Sequence, residues 1–266
     1  MNNTSKYQLS LMCFLCILWG CEKSEQWELV SLNESVLVIE AILTNEDIVQ
    51  EVRLTESYAD LNSEPPPVEN AVVFVQANGV VYPFVTDMDN PGLYRSQQPF
   101  AVVNNLNYKL TVNWKGKTYE AESILSATIS FVPFNSSDSL QLANFVSPFD
   151  TDQQALYEIE VDWSHLTTVS PTQAKLFLYT FDEVNITQFI LPRREPVGFP
   201  RGSLVTVTKY GLNDDFADYL RAVAIETDWN SSFFYGSPNN PPTNLSNGAL
   251  GFFSTCAVVR ETVVAE

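Results

Sequence analysis

The stretch "AVVFVQANGVVYPFV", residues 71–85, decides the fold class of this chain. It places two runs of β-branched and aromatic residues on either side of the dipeptide Asn78-Gly79. Both residues tolerate the positive φ angles of a two-residue turn, and Asn-Gly between apolar runs is a strong hairpin signal. The stretch therefore predicts two antiparallel strands joined by a tight turn.

Short apolar runs of the same kind stand on both sides of this hairpin. A connector with three consecutive prolines, residues 65–67, precedes it, and proline cannot donate to a strand ladder. Strict alternation in "YKLTVNW" places four large side chains on one face of a strand: Tyr108, Leu110, Val112 and Trp114. The other predicted strands of this half are residues 36–44, 48–55, 92–96 and 117–123. Seven short strands in about 100 residues predict an immunoglobulin-like β-sandwich over residues 35–125.

Beyond residue 125 the pattern predicts a second β-rich domain, residues 126–266, with one short helix. The predicted helix is "LNDDFADYLRAVAIE", residues 212–226, with Asn213 as its N-cap and two acidic residues in its first turn. Four of its apolar residues share one face, so we expect it to pack on a sheet: Phe216, Tyr219, Leu220 and Val223. The predicted strands are residues 155–163, 174–181, 187–191 and 203–210, and residues 250–264 form the last strand or pair of strands. The fold class is therefore all-β.

The composition argues against several classes of function. The chain carries 32 acidic and 14 basic residues, a formal net charge of −18, whereas nucleic-acid binding requires basic residues that neutralise phosphates. His165 is the only histidine, which leaves a zinc site without support. Cys13, Cys16 and Cys21 lie at the N-terminus and leave Cys256 alone, so no disulfide framework is expected. We expect neither a metal nor another cofactor.

The N-terminus, residues 1–20, predicts a signal peptide. Its apolar run over residues 8–19 is shorter than the roughly 20 residues of a membrane-spanning helix, but it fits the apolar region of a leader. The run ends in Leu18-Trp19-Gly20-Cys21, which resembles the lipobox of bacterial lipoproteins. That resemblance implies cleavage between Gly20 and Cys21, a lipid on the Cys21 thiol, and a tether over residues 21–34. The alternative is an ordinary secretory signal with a coincidental cysteine.

No pattern of residues indicates catalysis. Ser164 directly precedes His165, so on a strand the two side chains point to opposite faces and cannot form a nucleophile–base pair. The chain also lacks a GxSxG nucleophile motif. We therefore expect that the protein is not an enzyme. A hydrolase with a carboxylate pair that the sequence does not single out stays as an alternative.

One acidic segment invites a calcium interpretation. In "TDMDNPG", residues 86–92, Asp87 and Asp89 stand at alternate positions. The twelfth residue from Asp87 is Gln98, whereas an EF-hand loop needs a bidentate Glu there. Turn chemistry is the better interpretation of this segment. The same interpretation applies to Asp150 and Asp152.

A long polar loop follows the predicted helix and contains a cluster of aromatic residues. Loops of about 20 residues inside a compact domain are unusual and are often functional. Rigid aromatic side chains among Asn, Pro and Ser suit a contact surface. The alternative is that these side chains plug the end of the second domain. The candidate binding surface consists of Trp229, Phe233, Phe234 and Tyr235.

Two further motifs carry a family resemblance. The first is "G-K-x-Y-x-A", Gly116 to Ala121, and the second is "N-x-x-N-G-x-L-G-F-F", Asn244 to Phe253. Together with the lipobox and the strand order, they resemble the DUF4249 family of Bacteroidota lipoproteins. The resemblance spans nearly all of the chain after Cys21. It implies an outer-membrane accessory protein that works beside a TonB-dependent receptor, and it brings no catalytic residue with it.

These inferences lead to one expected function and one main alternative. We expect a lipid-anchored outer-membrane accessory or binding protein, held to the membrane through Cys21 and facing the periplasm or the cell surface. Its expected partner is a TonB-dependent outer-membrane receptor. The alternative is a surface adhesin or glycan-binding lipoprotein that acts alone.

Overall fold

The computed structural model describes residues 35–58, 63–125, 154–180, 198–227 and 241–265. These residues form an all-β fold with one short helix, which confirms the predicted fold class. The strands are β1 (Leu37–Thr44), β2 (Glu51–Glu56), β3 (Val72–Ala77), β4 (Val80–Thr86), β5 (Leu93–Ser96), β6 (Asn107–Trp114), β7 (Lys117–Ile124), β8 (Ala155–Asp162), β9 (Gln173–Thr180), β10 (Leu204–Gly211), β11 (Leu250–Cys256) and β12 (Val258–Val264). The helix is α1 (Asp214–Thr227).

The hairpin that decides the fold class is present as predicted. β3 pairs antiparallel with β4, and Asn78 and Gly79 both have positive φ angles, 47° and 78°. Lys115 and Gly116 repeat this backbone geometry between β6 and β7, with φ angles of 47° and 74°. Both turns thus have the positive φ angles that suit tight hairpins between twisted strands.

The start of β2 differs from the prediction, since the strand begins at Glu51 and not at Ile48. The side chain of Gln50 occupies the space between the chain segments there. Its Nε2 atom donates to the carbonyl oxygens of Thr44, Glu46 and Phe100, at 3.2, 3.1 and 2.8 Å. Its Oε1 atom accepts the Thr44 N–H at 3.0 Å. The two N–H groups of this buried amide are shared among three carbonyl oxygens, and with the bond to Oε1 they take the place of the strand ladder at this point.

The first sheet has eight strands in the order β11-β1-β2-β5-β4-β3-β6-β7. All of its neighbouring pairs are antiparallel except β1 and β11, which are parallel. Alternate side chains of these strands point to a single apolar core. The predicted face of β6 is confirmed, because its four large side chains all belong to this core: Tyr108, Leu110, Val112 and Trp114.

Two tyrosines tie loops to this core. The Tyr94 hydroxyl donates to the Val68 carbonyl at 3.1 Å and accepts the Ala71 N–H at 3.0 Å, which holds the proline-containing connector. The Tyr108 hydroxyl accepts the Val103 N–H at 2.8 Å. A tyrosine near the start of a strand that bonds backbone a few residues upstream is typical of immunoglobulin-like sandwiches.

The second sheet has four antiparallel strands in the order β12-β10-β8-β9. One face of it forms a separate apolar core. The buried members of this core are Ala155, Tyr157, Ile159, Val161, Trp163, Phe199, Val205, Val207 and Ala265. The predicted strand over residues 187–191 lies outside the described residues.

Strand β11 joins the first sheet, although it belongs to the C-terminal part of the chain. Ala257 is the one residue between β11 and β12, so the chain passes from the first sheet to the second within a single step. The predicted domain boundary at residues 125 and 126 stays a prediction, because residues 126–153 lie outside the described residues. The described residues all belong to one compact unit.

The two faces of β11 are buried against different partners. Phe253 points into the core of the first sheet, whereas Phe252 and Cys256 contact a third apolar cluster that includes Phe216 of α1. The rings of Phe252 and Phe216 stack with centroids 5.1 Å apart. Burial of the Cys256 thiol raises its pKa to about 12.

Helix α1 agrees with the prediction at its start and on its packed face. The Asn213 side chain accepts the Phe216 N–H at 2.9 Å, so Asn213 is the N-cap. Phe216 is buried, and Tyr219 lies 5.0 Å from Phe252 between ring centroids. Among the described residues, no helix has both the length and the apolar character required to cross a membrane.

Gly251 allows β11 to approach β1, and its replacement tests this close contact. Its φ angle is +90°, and a methyl group there would lie 2.1 Å from the Ile39 carbonyl oxygen. We predict that Gly251→Ala lowers the free energy of unfolding by about 3 kcal/mol or more, since backbone strain and a backbone clash add together. Urea denaturation followed by tryptophan fluorescence measures the change.

Gly248→Ala is the matched control for this substitution. Gly248 has a similar φ angle of +74°, but nothing lies within 4 Å of the added methyl group. We expect it to cost about 1 kcal/mol, the contribution of the backbone conformation alone. An equal decrease in the free energy of unfolding in the two variants would contradict the role of the β1–β11 contact.

Candidate functional site

The residues predicted for lipid attachment and for the late binding surface lie outside the described residues. These are Gly20, Cys21, Trp229, Phe233, Phe234 and Tyr235. Their roles stay predictions. Asp150 and Asp152 also lie outside the described residues.

The lone histidine has a structural partner. The His165 Nε2 atom lies 2.9 Å from the Gly202 carbonyl oxygen, while the Ser164 N–H donates to the Asp162 carboxylate at 2.8 Å. The hydrogen bond from the Ser164 N–H is the main cause of the lowered pKa of Asp162. His165 and Ser164 therefore bond to different groups, and the structure gives no nucleophile–base contact between them.

The segment around Asp87 forms a turn, as the sequence analysis favoured. One carboxylate oxygen of Asp87 accepts the Asp89 N–H at 2.9 Å, and the other lies 2.8 Å from Arg95. The Asp89 N–H is the main cause of the lowered pKa of Asp87. Across the described ranges, no group of three or more His, Cys, Asp or Glu side chains is placed to hold a metal ion.

A groove of about 670 Å³ opens on the solvent face of β1 and β2. Its floor is formed by Val38 and Glu40 of β1 together with Arg53 and Thr55 of β2. These residues alternate with the core residues of the same strands, so they point away from the core. The walls and rim are formed by the loops around the floor: Glu56, Ser57, Tyr58, Glu64, Pro65, Pro67 and Pro91.

The polar side chains of the groove differ in whether they already form hydrogen bonds or ion pairs. Glu56 accepts hydrogen bonds from the Ser35 hydroxyl and from Lys115 Nζ at 3.2 Å, and the Ser35 bond is the main cause of its lowered pKa. Arg53 lies opposite Glu40 in the β1–β2 register. Within the described part of the chain, neither of these two side chains forms an ion pair within 4 Å.

This arrangement suits binding. Tyr58 is 45% exposed and lines the groove together with three prolines, so the groove offers apolar surfaces next to a guanidinium and a carboxylate that form no ion pair with any described residue. Pockets that combine apolar faces with a few polar groups are typical of ligand sites. The Ser57 hydroxyl accepts the Val36 N–H at 2.9 Å and so has a structural partner. Neither His nor Cys is among the described residues that line the groove.

Sequence reasoning missed this groove for a physical reason. Its floor consists of positions that strand alternation assigns to solvent, and its walls come from proline-containing loops. The one sequence signal for this groove was Arg53, at a solvent-facing strand position close to the proline run. Arginines at solvent-facing positions are common on protein surfaces, so this signal does not single out a groove.

The two motifs that carry the family resemblance lie against each other. The Ser246 N–H donates to the Glu120 carbonyl at 2.9 Å, and the Ser246 hydroxyl accepts the Glu120 N–H at 2.8 Å. The Asn244 side chain bonds both the N–H and the carbonyl of Phe253, at 3.1 and 2.8 Å, and also the Glu122 carbonyl at 3.2 Å. Residues 244–247 thus bridge β7 and β11, the two edges of the first sheet.

This bridge has a structural role. We call it the seam, and it consists of residues 244–247 with the facing backbone of β7 and β11. The Ser123 hydroxyl completes it, since it accepts the Thr255 N–H at 3.0 Å inside the protein. Side chains here satisfy backbone groups that sheet edges would otherwise leave without partners. Closure of the first sheet therefore accounts for these motif residues.

The chain belongs to the DUF4249 family, which is described as a domain of unknown function and whose model matches residues 24–262. No curated protein and no solved structure matches the chain.

Proposed function

We propose that the protein is a lipid-anchored outer-membrane binding protein that serves as an accessory to a TonB-dependent transporter and performs no catalysis. The observation that carries this proposal is the groove on β1 and β2. It combines the exposed Tyr58 with Arg53 and Glu40, which form no ion pair with any described residue, and neither His nor Cys is among its described lining residues.

The anchor in this proposal rests on the sequence Leu18-Trp19-Gly20-Cys21. Cleavage before Cys21 leaves a tether over residues 21–34, which spans at most about 50 Å when fully extended. The groove lies near the first described residues, because Ser57 on its rim bonds Val36. A lipid on Cys21 would therefore keep the groove close to the membrane, where a transporter could receive its ligand.

The anchor and the transporter partner can be tested together with Cys21→Ala. In the wild type we expect palmitate labelling, recovery in the membrane fraction, and copurification of a TonB-dependent transporter in mild detergent. In the variant we expect labelling to disappear and the protein to leave the membrane fraction, because several acyl chains make anchoring effectively stable. Fractionation, labelling and mass spectrometry of the purified complex measure these outcomes.

Two results would contradict the proposal. Lipid labelling that persists in Cys21→Ala would remove the anchor. A wild-type protein that purifies as a monomer from mild detergent, with no transporter present after cross-linking in the membrane, would remove the accessory role.

A glycan-binding lipoprotein that acts alone is the second candidate, because the composition of the groove also suits a sugar ligand. The Tyr58 ring and the neighbouring prolines can cover the apolar face of a sugar, while Arg53 and Glu40 can bond its hydroxyl groups. For this candidate we expect glycan-array binding that falls at least tenfold in the double variant Arg53→Ala, Tyr58→Ala. Turnover of a bound polysaccharide would instead indicate a hydrolase.

The double variant Phe233→Ala, Phe234→Ala is the control for this experiment, because it removes two aromatics of the predicted late surface. Binding that survives this control but falls in the groove variant assigns the ligand to the groove. The reverse result assigns it to the late surface and contradicts the groove.

A further inference from the structure

Strand β12 is an open edge of the second sheet. It pairs with β10 on one side, and no strand of the described residues lies on its other side. The loop after β1 covers only its beginning, where Asn45 accepts the Val258 N–H at 2.7 Å and Glu46 lies 3.3 Å from Arg260. Apart from the Arg260 side chain, the stretch from Arg260 to Val264 lies beyond these contacts.

The ladder to β10 fixes which backbone groups point outward. The Gly211 N–H donates to the Ala257 carbonyl, and the Ala265 N–H donates to the Ser203 carbonyl, both at 2.9 Å. Antiparallel residues alternate between bonding the partner strand and pointing away from it. The odd-numbered residues of β12 thus bond β10, and the even-numbered residues point outward.

Three residues present these outward groups: Arg260, Thr262 and Val264. Their side chains are exposed. In the described ranges, no hydrogen bond reaches the outward N–H or C=O groups of these three residues. They form an unpaired edge of five residues, about 17 Å long, which is the length of an ordinary strand.

The first sheet treats its edges differently. β7 and β11 face each other there, and the seam satisfies their backbone groups with side chains from residues 244–247. β12 has no comparable bridge among the described contacts. Within the described residues, the fold therefore closes the edges of the first sheet and leaves the β12 edge of the second sheet uncovered.

The core face of β12 indicates which strand would fit the edge. Val259, Glu261 and Val263 alternate on this face, and all three are half-buried. Considering the described residues alone, no Lys or Arg nitrogen lies within 4 Å of the Glu261 carboxylate. A half-buried carboxylate between two valines favours a neighbour that is basic and flanked by apolar residues.

A second copy of this chain does not meet that requirement. In an antiparallel pairing of two β12 strands about Arg260, Glu261 or Thr262, the two Glu261 side chains become direct or diagonal neighbours on the same face. Two unpaired carboxylates would then repel each other. The net charge of −18 adds to the repulsion between whole molecules.

We propose that the open edge of β12 binds an extended segment of another protein by strand addition, with a Lys or Arg of that segment opposite Glu261 and apolar residues two positions to either side. Main-chain hydrogen bonds to Arg260, Thr262 and Val264 supply the attachment, and Glu261 supplies the selectivity. The proposal is independent of the anchor and of the groove.

The test uses two synthetic peptides and the intact protein. The probe is acetyl-Thr-Val-Thr-Lys-Thr-Val-Thr-amide, which carries Val, Lys and Val on one strand face, and its control has Glu in place of Lys. We expect the Lys peptide to bind at least tenfold more tightly, and to protect the amides of Arg260, Thr262 and Val264 from hydrogen exchange. NMR titration and exchange measure both effects.

Two variants make the assignment specific. Glu261→Lys should reverse the preference between the peptides, while the control Glu122→Lys, on an exposed position of β7, should leave it unchanged. Thr262→Pro removes an N–H that does not bond β10. It should therefore weaken the binding of both peptides while the sheet stays folded.

Three outcomes would overturn the proposal. Equal binding of the two peptides to the wild type would remove the role of Glu261. Protection that appears on β9, the opposite edge, would place the site elsewhere. Self-association of the wild type that protects the same three amides would assign the edge to a second copy.

Discussion

The burial of strand β11 on both of its faces is the constraint on which the rest of this structure depends. Phe253 enters the core of the first sheet, and Phe252 packs on Phe216 of the helix. Burial of a phenylalanine side chain contributes about 1.5 to 3 kcal/mol, so a single strand contributes to two cores at once. Because β12 follows after Ala257, the position of β11 also sets the start of the second sheet.

The same strand supports the candidate binding groove. β1, which supplies Val38 and Glu40 to the groove floor, lies between β2 and β11. Val38 pairs with Leu250 and Glu40 pairs with Phe252 in the parallel register. A floor built on a central strand is held from both sides, which suits a site that must present polar groups in a constant geometry. The groove and the β12 edge are thus two surfaces that depend on one chain segment.

The local features of this fold could be predicted from the sequence, whereas the long-range ones could not. Asn78-Gly79 predicts its hairpin because two residues determine the turn, and the Asn213 cap and the buried face of β6 follow from equally local patterns. The parallel pairing of Ile39 with Gly251 has no local signal, since the two residues are far apart in the chain.

The groove could not be predicted because its floor consists of solvent-facing strand positions. The roles of Asn244 and Ser246 could not be predicted either, because they depend on the positions of Glu120 and Glu122 in the folded chain.

The central claim is that β11 couples the two sheets into one cooperative unit. Native-state hydrogen exchange tests this claim directly, with the amides of Ile39 in β1 and Ile159 in β8 as reporters of the two sheets. The account predicts that both amides exchange through the same opening, with equal free energies and equal dependence on denaturant. Exchange of Ile159 through a separate opening of lower free energy, while Ile39 stays protected, would contradict it.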